Sequence, residues 1–575
     1  MVAGSEEEQA LPVEANYLED WPLRPWLLAG LGAVSGLIIH LILESEGESG
    51  LGAAIATFFF FAFVAATFVL RPTRLIESAI FALGVGAVMG GIAYIVADLG
   101  SSRAGTEFAF AAGVFFSLLA IPLFQAAFHR RKWATPYAET HFHVWTDAVS
   151  AGGALAFVGL SWLVLWLLHA LFSIVGIEVI EKLIETDGFV GAFMGATFGG
   201  AMGVLRNQLG VLGTLQRVVM LVFALLAVPF AVALLIFLTI LLFSGGSALW
   251  EATDSATPVL LSCAVFAFIF CNAIVRDDDE ARSGNVVMQA AALVLAACIL
   301  PLAIFAAISM GIRIDQHGLT PERIWALIAI VIATAYGLAY WAALVRGRMA
   351  AWCDYLRRAN MHLAAVTCVI ALILALPLFD FGAISTRDQL ARLESGETPV
   401  EEFDFNALRW DFGDAGGDAL AELAQSDDPD IAQLAQETQN AEGRYYGSRT
   451  AAERREVVEN TDFGDMDEAT RAAVGAYIRD EIYLCEVACR ADVVGETDRG
   501  QLVALIPNQN WNGVKLLLVT PGNERAIEQF IRNGRLQGER YGPDAARDPD
   551  AQLELRPFEG RQLYVGDEPV GDPFE

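Results

Sequence analysis

Two cysteines and a few histidines come nearest, by type and spacing, to residues that could do chemistry. Cys485-Glu-Val-Ala-Cys489 is a C-x-x-x-C pair. It lacks the C-x-x-C spacing of redox-active pairs, and in an oxidising compartment two neighbouring cysteines without a competing partner bond to each other. One helical turn would hold their Cα atoms about 6 Å apart, near the upper end of the disulfide range, so a helix there is expected to end between them. His141-Phe-His143 is a pair that a strand could present to a metal, but no Cys or carboxylate cluster joins it and Asp147 alone is a weak partner. No metal and no cofactor is therefore expected. The last histidine is His362, which removes Ser-His-Asp, Cys-His and histidine-ligated zinc chemistry from everything after it. Carboxylates are so abundant there that no chosen pair is informative, and no catalytic residue is assigned.

The elements that would position these groups are membrane helices. The chain has 575 residues, 55% of them hydrophobic, and a mean hydropathy of +0.46. A soluble globular protein is usually about 45–50% apolar. The excess sits in residues 25–378, and residues 380–575 read as soluble protein. Spans of about 20 apolar residues fall near 26–43, 51–70, 76–97, 107–128, 149–175, 189–205, 218–243, 257–275, 286–310, 322–345 and 360–378. An acidic tail with Glu6, Glu7 and Glu8 precedes the first run, which argues against a cleaved signal with its positive n-region. No Asp, Glu, Lys or Arg is read well inside a span, which counts against ion-coupled transport.

Loops after even-numbered spans carry 13 Lys and Arg against 4 in the others. That bias places the N-terminus in the cytoplasm and, with eleven spans, the C-terminal part outside. His40 and His169 then lie toward the same outer surface and are candidates for a shared polar site. In the sixth span Gly191, Gly195, Gly199 and Gly203 recur every four residues and line one helix face. Such a strip lets a neighbouring backbone approach closely, or lines a groove for a lipid tail; a re-entrant or broken sixth helix is a further alternative.

The stretch between spans nine and ten holds Arg313, Asp315, His317, Gly318, Thr320 and Arg323. Thr320-Pro321-Glu322 reads as a helix start: a cap, a first-turn proline and an acid at the positive dipole end. This outer loop is expected to meet the helix near 385–396, which carries Arg387, Asp388 and Arg392. Further on, 416–424, 428–438, 450–459 and 467–484 read as short helices, 502–506, 514–519, 553–555 and 562–565 as strands, Asn510–Gly513 as a turn, and Thr520-Pro521 as the start of a helix that Gly534 stops.

Arg313-Ile-Asp-Gln-His-Gly-Leu-Thr-Pro-Glu-Arg323, Ser385-Thr-Arg-Asp-Gln-Leu-Ala-Arg-Leu-Glu-Ser-Gly396 with Phe403-Asp404, and the Trp250 loop together resemble the bacterial membrane family known as domain of unknown function 4153. The resemblance covers roughly residues 20–420, with His317 standing where the family often has an aromatic residue. It implies a multi-pass bacterial membrane protein and no established reaction.

The expected fold is an α-helical polytopic membrane protein with about eleven transmembrane helices and a C-terminal soluble α+β domain. Its parts are an acidic cytoplasmic tail (1–24), a membrane domain (25–379), an outer helical subdomain (380–489) and a small outer α/β subdomain (490–575). The net charge of −31 repels nucleic acid and anionic headgroups. The expected partners are the lipid bilayer and other membrane or envelope proteins, and the expected role is non-catalytic, in the bacterial inner membrane. Two alternatives stand beside it: a transporter or lipid handler using the glycine-lined groove, and a transferase acting on a lipid-linked substrate, for which Glu44, Glu46 and Glu48 are the carboxylates to mutate.

Overall fold

A computed structural model describes residues 21–46, 49–244, 256–280, 282–376, 378–441, 451–480, 485, 489–497, 499–507, 515–522, 526–528, 561–565 and 568–574. The acidic tail, Glu48, the Trp250 loop, the Asn510–Gly513 turn and the 553–555 strand lie outside the described residues. Residues 1–388 with 412–415 form one compact unit, and residues 389–411 with 416–575 a second.

The first unit is helical. Eleven of its described helices are long and apolar enough to cross a membrane. They are α1 (Arg24–Glu46), α2 (Gly50–Val69), α3 (Leu75–Leu99), α4 (Thr106–Gln125), α5 (Tyr137–Ile174), α6 (Phe189–Asn207), α7 (Leu209–Phe243), α8 (Thr257–Val275), α9 (Val286–His317), α10 (Pro321–Arg348) and α11 (Ala351–Ala375). Side chains start several of them: Ser49 accepts from Gly52 N–H at 2.9 Å, and Asn285 from Val287 N–H at 2.8 Å. The sixth is one unbroken helix of 19 residues, not a broken one. At about 1.5 Å per residue it is about 28 Å long, close to the hydrocarbon thickness.

Several spans run further than their hydropathy suggests. α5 begins at Tyr137 rather than near 149, α9 continues to His317, and α11 begins at Ala351. In α5 and α11 the extra turns hold polar residues that neighbouring helices bury, among them His141, His143 and Arg357, so hydropathy drops while the backbone stays helical.

Two apolar cores hold the unit. One joins α1, α2, α3 and α6 around Leu28, Ala65, Val85 and Met202. The other joins α7 to α11 around Ala227, Ala267, Leu295, Tyr340 and Leu356. Alanine dominates both, which draws the helix backbones together where lipid offers no hydrophobic drive between them. Cys271, Cys298, Cys353 and Cys368 are free and buried.

The second unit contains short helices Phe405–Trp410, Pro429–Asn440, Ala451–Glu459 and Glu468–Asp480, and a five-stranded sheet of β1 (Asp462–Phe463), β2 (Cys489–Thr497), β3 (Gly500–Pro507), β4 (Lys515–Val519) and β5 (Ile527–Glu528) in that order. β1 pairs parallel to β2, and the other pairs are antiparallel. Helices 451–459 and 468–480 share a core with the sheet, through Val457, Val474 and Ile478 against Val503, Leu505 and Leu517. The helix expected from Thr520 is overturned at its described residues. Pro521 and Gly522 form a turn, Gly522 has φ +87°, and Ile527 pairs back onto Leu518. A Pro-Gly pair is a turn signal that outweighs the Thr-Pro helix start when an open strand edge lies alongside.

Candidate functional site

Helices α4, α5 and α7 to α11 line an open-sided cavity of about 1310 Å³. Its walls are mostly apolar, with Phe115, Trp145, Leu261, Phe268 and Ile332 among them. Both ends are polar. At one end, beside the α9–α10 turn, lie Arg313, Thr320, Glu322 and Arg323; toward the other lie Tyr137, His141, Asn272 and Asn360. Along α8 the lining runs from Pro258 to Asn272, about 21 Å at 1.5 Å per residue.

The second polar end is a network spanning four helices, α5, α8, α10 and α11. Asn272 Nδ2 donates to the Phe268 carbonyl and to the Tyr340 hydroxyl, both at 2.8 Å. Asn360 Nδ2 donates to Asn272 Oδ1 at 2.7 Å, and Tyr340 donates to Asn360 Oδ1 at 3.0 Å. The Tyr137 hydroxyl lies 3.3 Å from Asn272 Oδ1 and 3.0 Å from His141 Nδ1. His141 is 5% exposed, lines the cavity, and its Nε2 has no hydrogen-bond partner among the described residues. Below this network Arg357 is buried and makes four hydrogen bonds: it donates to the Val275 and Arg276 carbonyls and to Asp279 and Asp354. This is how a buried guanidinium is tolerated. Sequence reasoning missed the site because its members lie up to 223 residues apart and each looks like an isolated span-end polar group.

Asp147 is the acidic residue that comes nearest to the apolar part of α5, level with Gln125 at the C-terminal end of α4. It lies ten residues into α5, where Gln125 Nε2 reaches its Oδ1 at 3.3 Å while also donating to the Phe68 carbonyl at 2.8 Å. His141 and His143, two apart on a helix, do not share a face.

The glycine strip faces α1. A Cβ on Gly191 would stand 2.6 Å from the Gly36 carbonyl oxygen, and one on Gly195, Gly199 or Gly203 would collide with the backbone of Gly32, Leu28 or Pro25. The face that would line a lipid groove is thus occupied by another helix. His40 and His169 are not joined by any described contact: His40 Nε2 lies 3.5 Å from Glu44 with Asp187 close by, and His169 packs edge-on against Trp166.

In the outer motif, Arg313, Asp315 and His317 stand on the last turns of α9 rather than in a loop. Gly318, at φ +70°, ends that helix and donates to the Ile314 carbonyl at 2.8 Å. Arg323 reaches back to the His317 carbonyl at 3.0 Å and the Gly318 carbonyl at 2.5 Å. Thr320 caps α10, accepting from Arg323 N–H at 3.4 Å. Leu319 N–H donates to Asp388 Oδ2 at 2.7 Å, the contact expected between this segment and the helix at 385–396. Cys485 and Cys489 form a disulfide with Cα atoms 5.5 Å apart, and Cys489 opens β2.

No curated protein and no solved structure matches this chain. A family model described as "Domain of unknown function (DUF4153)" matches residues 57–423, a stretch that contains every helix lining the cavity and the outer motif, and the chain belongs to that family.

Proposed function

We propose that this multi-pass membrane protein holds a lipid-like amphiphile inside its helical bundle and does no chemistry on it. The observation that carries the reading is the cavity of about 1310 Å³, apolar along its length and polar at both ends. A slot of that form framed by membrane helices suits a long hydrocarbon chain with a small polar group, and it exceeds the about 300–1,000 Å³ of ordinary small-molecule pockets. It replaces the glycine face as the place for a lipid. The test is native mass spectrometry of the full chain released from nanodiscs. Retained lipid is expected in the wild type and its loss in Ala333→Trp, whose indole would fill the slot. A wild type that emerges empty, or an Ala333→Trp protein that keeps its lipid, would overturn the reading.

The membrane is proposed to be the bacterial inner membrane, with the Arg-rich loops cytoplasmic and the acidic second unit outside, where it would meet envelope proteins. Support comes from the Lys and Arg bias and from the Cys485–Cys489 disulfide, a bond of oxidising compartments. Reporter fusions after Asp380 and after Glu575 should both report the outer side; a cytoplasmic signal would reverse the assignment.

A further inference from the structure

We propose that the Tyr137–His141–Asn272–Asn360 end of the cavity recognises the hydroxyl of an uncharged long-chain lipid, whose chain runs along the slot. This rests on the reading of the cavity as an amphiphile site and names the class of amphiphile.

The argument is a count of protons. Asn272 spends both amide protons on Phe268 and Tyr340; Tyr340 spends its own on Asn360. Tyr137 has one proton and two acceptors within reach, Asn272 Oδ1 and His141 Nδ1. If it donates to Asn272, His141 Nδ1–H donates to Tyr137 and Nε2 presents a lone pair. If it donates to His141, Nε2 carries the proton. Either tautomer leaves one buried ring nitrogen unsatisfied at the cavity wall, a costly state unless a ligand answers it. A hydroxyl answers both forms, because it donates and accepts. A carboxylate or phosphate suits only the N–H form and an ammonium only the lone pair.

Charge points the same way. The two arginines near His141, Arg276 and Arg357, do not line the slot, and Arg357 is spent on four protein acceptors. This end therefore offers neutral hydrogen bonds and no counter-ion for an anionic headgroup. It is also the end of the bundle that carries Arg130, Arg131 and Lys132, a few residues before Tyr137. A hydroxyl held there with its chain directed along α8 has the orientation of a lipid in the leaflet on that side.

The experiment measures binding of tritiated hexadecan-1-ol, hexadecane and hexadecyl phosphate to the full chain in nanodiscs, for the wild type, His141→Ala and His141→Gln. The wild type should prefer the alcohol over hexadecane by about tenfold, the worth of one good buried hydrogen bond. His141→Ala should lose that preference while still binding hexadecane, and His141→Gln, whose amide can donate or accept, should recover part of it. Alcohol binding unchanged in a folded His141→Ala protein overturns the hydroxyl proposal and leaves the amphiphile reading standing. Hexadecyl phosphate bound more tightly than the alcohol by the wild type, a comparison that needs no variant to fold, overturns it as well. Binding of none of the three probes overturns the amphiphile reading itself.

Discussion

Asn272 and Asn360 are joined by a 2.7 Å hydrogen bond across 88 residues, which ties α8 to α11 at the polar end of the cavity. Tyr340 closes the ring by accepting from one amide and donating to the other. Interhelical hydrogen bonds in membranes average only about 0.6 kcal/mol, but removing one partner strands two buried groups. Tyr340→Phe is therefore expected to cost about 1–3 kcal/mol, seen as a lower melting temperature of the full chain in detergent. An unchanged melting curve would mean that the ring holds nothing together.

The glycine strip gives a steric prediction with its own control. Gly195→Ala places a methyl group against the Gly32 backbone, whereas Gly30→Ala on α1 meets nothing within 4 Å. Overpacking costs about 1–3 kcal/mol even where side chains can yield, and a backbone cannot yield easily. The first variant should lower the monodisperse fraction on size exclusion, and the second should not. Equal behaviour of the two would remove packing as the reason for the strip.

Two aspartates should respond to pH with opposite signs. Asp467 caps the helix Glu468–Asp480, accepting from Thr470 N–H at 2.8 Å, and these bonds hold its pKa below the usual aspartate range. Its contribution is complete above the unfolded pKa and is lost as pH falls through the folded one. Burial, with Asp278 adding to it, raises Asp277, so its contribution is present at low pH and is lost as pH rises through the raised value. Protection factors, which divide out the intrinsic pH dependence of amide exchange, should therefore fall at residues 468–472 on acidification, and at 276–280 as pH climbs past the usual carboxylate range. Asp467→Asn should flatten the first trend; a trend that survives it assigns the effect to another group.

The disulfide closes a loop of a few residues, for which chain entropy predicts about 2 kcal/mol of stabilisation. Cys485→Ser should raise exchange in β2 and in the helix Glu468–Asp480, because both cysteines lie in the core these elements share. Maleimide added without reductant should leave both cysteines unlabelled in the wild type. Labelling of either under those conditions would contradict a stable bond.

Much of the membrane fold is legible in the residues. Eleven apolar runs, and Thr320-Pro321 at the head of α10, each announce themselves locally. The cavity does not. Asn272 and Asn360 become partners only through the packing of α8 on α11, and no local spacing records it. The first turns of α5 are not legible either: Glu139, His141, His143 and Thr146 lower their hydropathy, and they stay helical because other helices bury Thr140, His141, His143 and Thr146. β2 was missed because Arg490 and Asp492 interrupt its small apolar positions, and β5 because its pairing partner β4 is what makes it a strand.

The apposition of α1 and α6 also sets a timetable for biogenesis. Gly32 leaves the ribosome about 160 residues before Gly195, an interval of roughly 8–30 s at about 5–20 residues per second. Throughout it the first helix resides in the bilayer with its bare glycine face turned to lipid. The closest backbone contact of this half of the bundle thus cannot form in the order in which the chain is made. Nascent chains that stop before residue 189 carry an unfilled seam that the membrane quality-control machinery could recognise.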